Sequence, residues 1–206
     1  MYARSNTVHA DPQRIDAGIA DVRDSIMPTV QSMPGCLGLS MLCDRQSGRC
    51  IVTTSWDSEE SMSASRDAVR AMRDQSSDVM GGQFEVQEWE IAVLHRAHQA
   101  PEGACCRVTW TRGDPARMDE MTETFRTGIM PRLDEIPGFC SVSVMGDRQT
   151  GMSVITATYD DRSSLDGSAA SVRDMRDRFS QETGLEVADM AEMELVLHHL
   201  RVPEMA

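Results

Sequence analysis

Residues 44–48 read DRQSG and residues 147–151 read DRQTG, the second stretch starting 103 residues after the first. A shared pentapeptide decides little by itself, but a constant offset along the whole chain marks a duplicated unit. At that offset Asp11-Pro12 meets Asp114-Pro115, Ile26-Met27-Pro28 meets Ile129-Met130-Pro131, and Pro34-Gly35 meets Pro137-Gly138. Further on, Thr53 meets Thr156, Trp56-Asp57 faces Tyr159-Asp160, and Val69-Arg70 with Met72-Arg73-Asp74 recurs as Val172-Arg173 with Met175-Arg176-Asp177. The register holds without a gap to about residue 80. After it, EWEIAVLH (88–95) and EMELVLH (192–198) end the copies one residue out of step, as a β-bulge gives.

Each copy carries the same succession of local signals. Asp11 and Asp114 suit an N-cap, and the proline after each suits the first helical position. The apolar stripe Ile15, Ile19, Val22, Ile26, Val30, Met33 is helical in its spacing, and so is Met118, Met121, Phe125, Ile129, Leu133, Ile136. Pro28 and Pro131 are expected to kink or interrupt the last turns, and the Pro-Gly pairs to stop the helix. CLGLSML and RCIVTTSW then flank DRQSG, and FCSVSVM and MSVITATY flank DRQTG, so each pentapeptide reads as a hairpin tip. A second helix follows Asp57 or Asp160, and a strand closes each unit. With a strand before each first helix (ARSNTVH, CRVTWTR), the order is β-α-β-β-α-β twice, the ferredoxin-like plan. The units are placed at residues 1–98 and 105–202, with 99–104 as linker.

Composition narrows the chemistry. The formal charge of −13 and a pI near 4.7 argue against a nucleic-acid partner, which requires clustered cations. All 20 basic residues are arginine, which excludes lysine Schiff bases and P-loop phosphate cradles. No apolar run approaches the ~20 residues of a membrane span, and MYARSNTVHADPQR is too polar for a secretion signal, so a cytoplasmic protein is expected. Six cysteines without C-x-x-C spacing read as buried thiols, and the five histidines complete no ligand set, so no metal site is assigned.

The stretches PGCLGLSMLCDRQSGRCIVTTSWDSEES and PGFCSVSVMGDRQTGMSVITATYDDRSS resemble the dimeric α+β barrel superfamily, in its antibiotic biosynthesis monooxygenase branch. The resemblance implies an α+β fold in which two tandem ferredoxin-like units form the barrel within one chain, with a pocket between helices and sheet in each unit. Residue alternation agrees: Ile51, Thr53, Ser55 on one face of a middle strand and Cys50, Val52, Trp56 on the other suit a sheet covered on both sides. Further homodimerisation through outer surfaces is left open. The branch includes cofactor-free oxygenation of quinol-like aromatics and haem degradation. Of the haem degraders' three residues, Asn6 matches the asparagine, but Ser65 and Ser168 stand at the tryptophan position and Asp74-Gln75 or Asp177-Arg178 where histidine belongs. Haem is therefore not expected, and no cofactor is assigned.

Asn6 is the only asparagine in the chain and lies in a polar first strand. Alternation puts Arg4, Asn6 and Val8 on one face. Facing the helices, they would line a pocket roofed by Ser65, with Trp56 and Met62 nearby, where Asn6 and Arg4 orient the oxygen of a small aromatic ligand. The second copy offers Arg107, Thr109, Trp110, Ser168 and Tyr159, with Trp110 expected to fill part of the space. Simpler roles stand beside these: Arg4 salt-bridged, Ser65 at a close helix–sheet contact, Trp56 and Tyr159 sealing the core, Asp44 and Arg45 facing solvent. The function expected is a cofactor-independent monooxygenase. The alternative is a non-catalytic small-molecule-binding or stress-response protein on the same frame.

Overall fold

The computed structural model describes residues 1–200 and Pro203; residues 201 and 202, the end assigned to the second repeat, lie outside the described residues. The hairpin tips show why their sequence is kept. The Asp44 carboxylate accepts hydrogen bonds from Gln46 N and Ser47 Oγ, and Gly48 N donates to Asp44 O at 2.9 Å. Gly48 sits at φ 77°, and a Cβ there would lie 2.2 Å from Ala10 O, so only glycine lets the tip dock where Ala10 N bonds Gly48 O. Asp147, Thr150 and Gly151 repeat the arrangement against Gly113. Arg45, expected in solvent, is half-exposed and ion-paired to Asp16 and Glu194, as Arg148 is to Asp119 and Glu90.

The tips join β2 (Cys36–Cys43) to β3 (Arg49–Trp56) and β6 (Phe139–Asp147) to β7 (Met152–Tyr159). β1 (Tyr2–His9) pairs antiparallel with β3, Asn6 opposite Val52; β5 (Cys105–Arg112) pairs likewise with β7, Thr109 opposite Ile155. β4 (Phe84–Arg96) and β8 (Glu186–Leu200) are the long closing strands. Two compact units result, the first of Met1–Trp89 with residues 194–200, the second of Glu90–Met193 with Pro203. The strand order is β4-β1-β3-β2-β8 in the first and β8-β5-β7-β6-β4 in the second. Each closing strand therefore contributes to both units. Both closing strands are bulged by one residue, at Ala92 where β4 meets β6 and at Val196 where β8 meets β2.

The first helical run begins as expected, with Asp11 and Asp114 accepting from Gln13 N and Ala116 N. Pro28 and Pro131 do not end it. After α1 (Ile15–Asp21) and α5 (Met118–Thr124) the backbone widens into π turns at Val22–Ile26 and Phe125–Ile129, then resumes as α2 (Met27–Gln31) and α6 (Met130–Leu133). A proline lacks an N–H and its ring crowds the carbonyl four residues back, and the wider turn absorbs both defects. The second helix, expected as one piece, is two: α3 (Glu59–Ala64) and α4 (Arg66–Met80) meet at Ser65, and α7 (Arg162–Gly167) and α8 (Ala169–Thr183) at Ser168. Val8, Val22, Leu39, Met41, Val52 and Met80 form the main core of the first unit; Phe125, Phe139, Val142, Tyr159, Leu165 and Phe179 stand in that of the second. All six cysteines are free thiols, five of them buried. Among the described residues no helix is long and apolar enough to cross a membrane.

Residues 1–100 expressed alone lack Glu194–Leu200, the strand that covers β2, and present a bare edge. Homodimers or aggregates are expected in size-exclusion chromatography; a stable, well-folded monomer would contradict this fold.

Candidate functional site

Alternation along β1 places Arg4, Asn6 and Val8 toward the helices, and each meets a different environment. Arg4, 2% exposed, donates through Nε and Nη2 to Glu88 Oε1 at 2.9 and 2.8 Å, through Nη1 to Ser65 Oγ at 2.9 Å, and through Nη2 to Met62 O at 2.7 Å. Ser65 Oγ itself donates to Met62 O. The serine is thus the joint of the helix break, and Arg4 holds that joint against the sheet. The second unit repeats the fork: Arg107 donates to Ser168 Oγ, Leu165 O and Glu192 Oε1. Its guanidinium carbon lies 5.8 Å from the Tyr159 ring centre. Trp56 is fully buried among Val30, Met62 and Val69, with its Nε1 donating to Thr54 Oγ1. Trp56, Met62 and Tyr159 fill the core, while Arg4 and Ser65 are tied to each other. Val8 packs beside Met80 and Val22.

Asn6 is different. It is 5% exposed; its Nδ2 donates to Val52 O at 3.4 Å, and its Oδ1 has no hydrogen-bond partner. An orphaned buried carbonyl costs about 1–3 kcal/mol. Asn6 borders a small chamber of about 30 Å³ between β1, β3 and the helices, walled otherwise chiefly by Val22, Ile26, Val69, Met72 and Phe84. The π turn supplies Val22 and Ile26, so the widened backbone helps shape this wall. Arg73 is the one ionisable residue lining it.

In the second unit the residues equivalent to Val22 and Ser76 of the chamber are Phe125 and Phe179, whose rings meet edge to face at 6.2 Å. Two packed rings thus stand where the first unit has a valine and a serine. Trp110, expected as the filler, lies on the other face of β5 with Val108 and is not part of the helix-side core. Ser76 stays buried at no polar cost because its hydroxyl donates to Asp21. Sequence reading missed Val22, Ser76, Phe84 and Arg73 as wall residues. The signal was present at the repeat offset, where two small residues face two phenylalanines.

Another cluster joins residues far apart in sequence. His98 Nε2 and Cys140 Sγ lie 2.7 and 3.2 Å from Asp160 Oδ1, and the three atoms are within 4.8 Å of one another, a grouping capable of holding a metal ion. His98 and the Cys140 thiol hold the Asp160 carboxyl below its usual range. Burial and then Asp160 push the Cys140 thiol up to about 12, and burial does the same for Cys106. Neither thiol is a nucleophile near neutrality.

A family model described as antibiotic biosynthesis monooxygenase matches residues 1–74. Two uncharacterized proteins of Mycobacterium tuberculosis are each 43% identical over the whole chain, which covers 92% of one and 87% of the other. Similar solved structures include a candidate monooxygenase from Lactobacillus acidophilus (TM-score 0.71, 9% identity, covering 97% of this chain and 96% of that one). An anthrone oxidase-like protein gives TM-score 0.63 at 13% identity, covering 100% and 95%. A heme-degrading enzyme from Listeria monocytogenes gives 0.54 at 7%, covering 94% and 99%. At these identities the structures establish shared fold.

Two expected outcomes follow from this geometry. Replacing Arg4 by methionine removes its hydrogen bonds to Ser65, Met62 O and Glu88, leaving Met62 O to Ser65 and Glu88 to Arg66, and should cost about 2 kcal/mol in urea unfolding, below the full buried-pair value because Glu88 is partly solvated. An unchanged midpoint would contradict the role given to Arg4. With thiol pKa values of about 12, roughly one molecule in ten thousand carries thiolate at pH 8, so iodoacetamide should spare Cys106 and Cys140 until the chain is unfolded. Native-state labelling of either residue, read by peptide mass mapping, would contradict it.

Proposed function

Since the chain belongs to the antibiotic biosynthesis monooxygenase family, of the dimeric α+β barrel superfamily, we propose that its first unit is a cofactor-independent oxygenase site for a small quinol-like aromatic. The observation that carries this reading is the orphaned Asn6 Oδ1 at an apolar chamber. A hydroxyl on the ligand supplies the missing donor. An acceptor on that hydroxyl draws its proton away from the ring oxygen and makes the ring easier to oxidise by dioxygen. For an anthrone-type substrate the balance is R₂CH₂ + O₂ → R₂C=O + H₂O: the methylene loses two C–H bonds, and the substrate supplies all the reducing equivalents. Asn6 accepts from the ligand hydroxyl; Arg4, with its donors engaged, is a positioning residue.

The chamber as it stands admits about one small molecule the size of water or dioxygen. A ring enters by displacing half-buried Met72 and Phe84, and methionine yields readily. The substrate brings its own acidity, because the described chamber wall offers no carboxylate or imidazole base. That same absence supports the second reading, a binding protein without turnover.

Oxygen uptake with reduced naphthoquinols and anthrones separates the two. Wild type should exceed the uncatalysed rate, and Asn6→Ala should fall at least about tenfold toward background. Equal rates in wild type and variant would remove the enzyme reading, and binding without uptake would favour the second.

A further inference from the structure

Immediately outside the chamber lies a groove of about 420 Å³ between α4 and the first half of β4. Arg73 and Phe84 line both spaces, so one guanidinium and one ring form the wall between them. Arg66, Arg70 and Arg73 fall on one face of α4 at helical spacing and all line the groove. For a chain of net charge −13, this concentration of cations is unusual.

How those charges are engaged shows which remain available. Arg4 and Arg66 share Glu88. Asp67 and Asp74 also line the groove, on the exposed side of α4. Among the described residues the Arg70 and Arg73 guanidiniums make no ion pair or hydrogen bond, and Arg73 is half-buried against the chamber. Most other arginines that approach the sheet are paired. The residue equivalent to Arg73, Arg176, donates through Nε and Nη2 to Asp177 Oδ1 and sits with Nη1 3.3 Å from Met190 Sδ. Where the chamber is filled by Phe125 and Phe179, then, its arginine is satisfied; where the chamber is open, its arginine is not.

We propose that the ligand is an aromatic hydroxy acid: its ring and hydroxyl enter the chamber toward Asn6, and its carboxylate is gripped by Arg73, with Arg70 as the second cation. This deepens the proposed function and rests on the same chamber. A carboxylate matches the planar fork of a guanidinium in two parallel hydrogen bonds, and a single charge suits a wall with one inward-facing arginine. Partial burial reduces screening at Arg73, so the contact contributes more than a surface ion pair does. Glu88 and Asp74 at the rim disfavour ligands of higher negative charge.

The test titrates the full-length chain, by calorimetry at low salt, with a hydroxynaphthoate, the corresponding naphthol and the naphthoate lacking the hydroxyl. Wild type should bind the hydroxynaphthoate tighter than the naphthol by on the order of tenfold or more. Arg73→Gln should abolish that preference, so that hydroxynaphthoate and naphthol bind the variant alike; exposed Arg70→Gln should reduce it, and Arg176→Gln in the second unit should not affect it. Asn6→Val should lower hydroxynaphthoate affinity to that of the naphthoate. If naphthol and hydroxynaphthoate bind wild type equally, or Arg73→Gln keeps the preference, the acid proposal is overturned while the chamber stands. If none of the three binds, the chamber reading falls and this proposal with it.

Discussion

One buried guanidinium in each unit sets the geometry on which the rest depends. Arg4 reaches from the first strand to the break between α3 and α4, and Arg107 does the same between α7 and α8. At each junction the serine hydroxyl already bonds the carbonyl three residues back, and the guanidinium adds a second donor to that carbonyl and one to the serine itself. With it, the long helix is fixed at one end over β1, and the glutamate on the closing strand is drawn to the same point. The height of the helix above the sheet follows, and with it the space beside Asn6.

The two units keep this frame and differ in what they place on it. In the second, Phe125 and Phe179 supply aromatic area to the core, the kind of burial worth several kcal/mol for a full ring. The first gives that up: Val22 and Ser76 leave a gap, and an amide that cannot satisfy its own oxygen is set beside it. Two losses of stability at one place, in a chain whose duplicate shows that neither is required by the fold, mark the place as kept for another purpose.

Much of the architecture was legible because repeats report themselves twice. The N-caps at Asp11 and Asp114, the hairpin tips and the bulged last strands all rest on local chemistry that the second copy corroborates. Two features were not readable. The prolines at 28 and 131 pointed to a kink or interruption of the last turns, and the π turns before them are that interruption; the side-chain pattern does not set the form it takes. The pairing of β2 with the end of β8 joins residues more than a hundred positions apart, which periodicity does not encode. At the site, Asn6 stood out by composition and Arg4 by polarity. Strand parity, not bulk, turns Trp110 away from the helices, and the His98, Cys140, Asp160 cluster was invisible because its members lie just past β4, at the start of β6 and just past β7.

The central claim is an asymmetry: an open chamber in the first unit and a filled one in the second. Xenon enters apolar cavities without needing any particular polar contact, so a crystal of the full chain pressurised with xenon tests it directly. The account predicts a xenon peak among Asn6, Val22 and Val69, and none beside Phe125 and Phe179. Peaks at both places, or at the second alone, would contradict it, as would an empty first chamber.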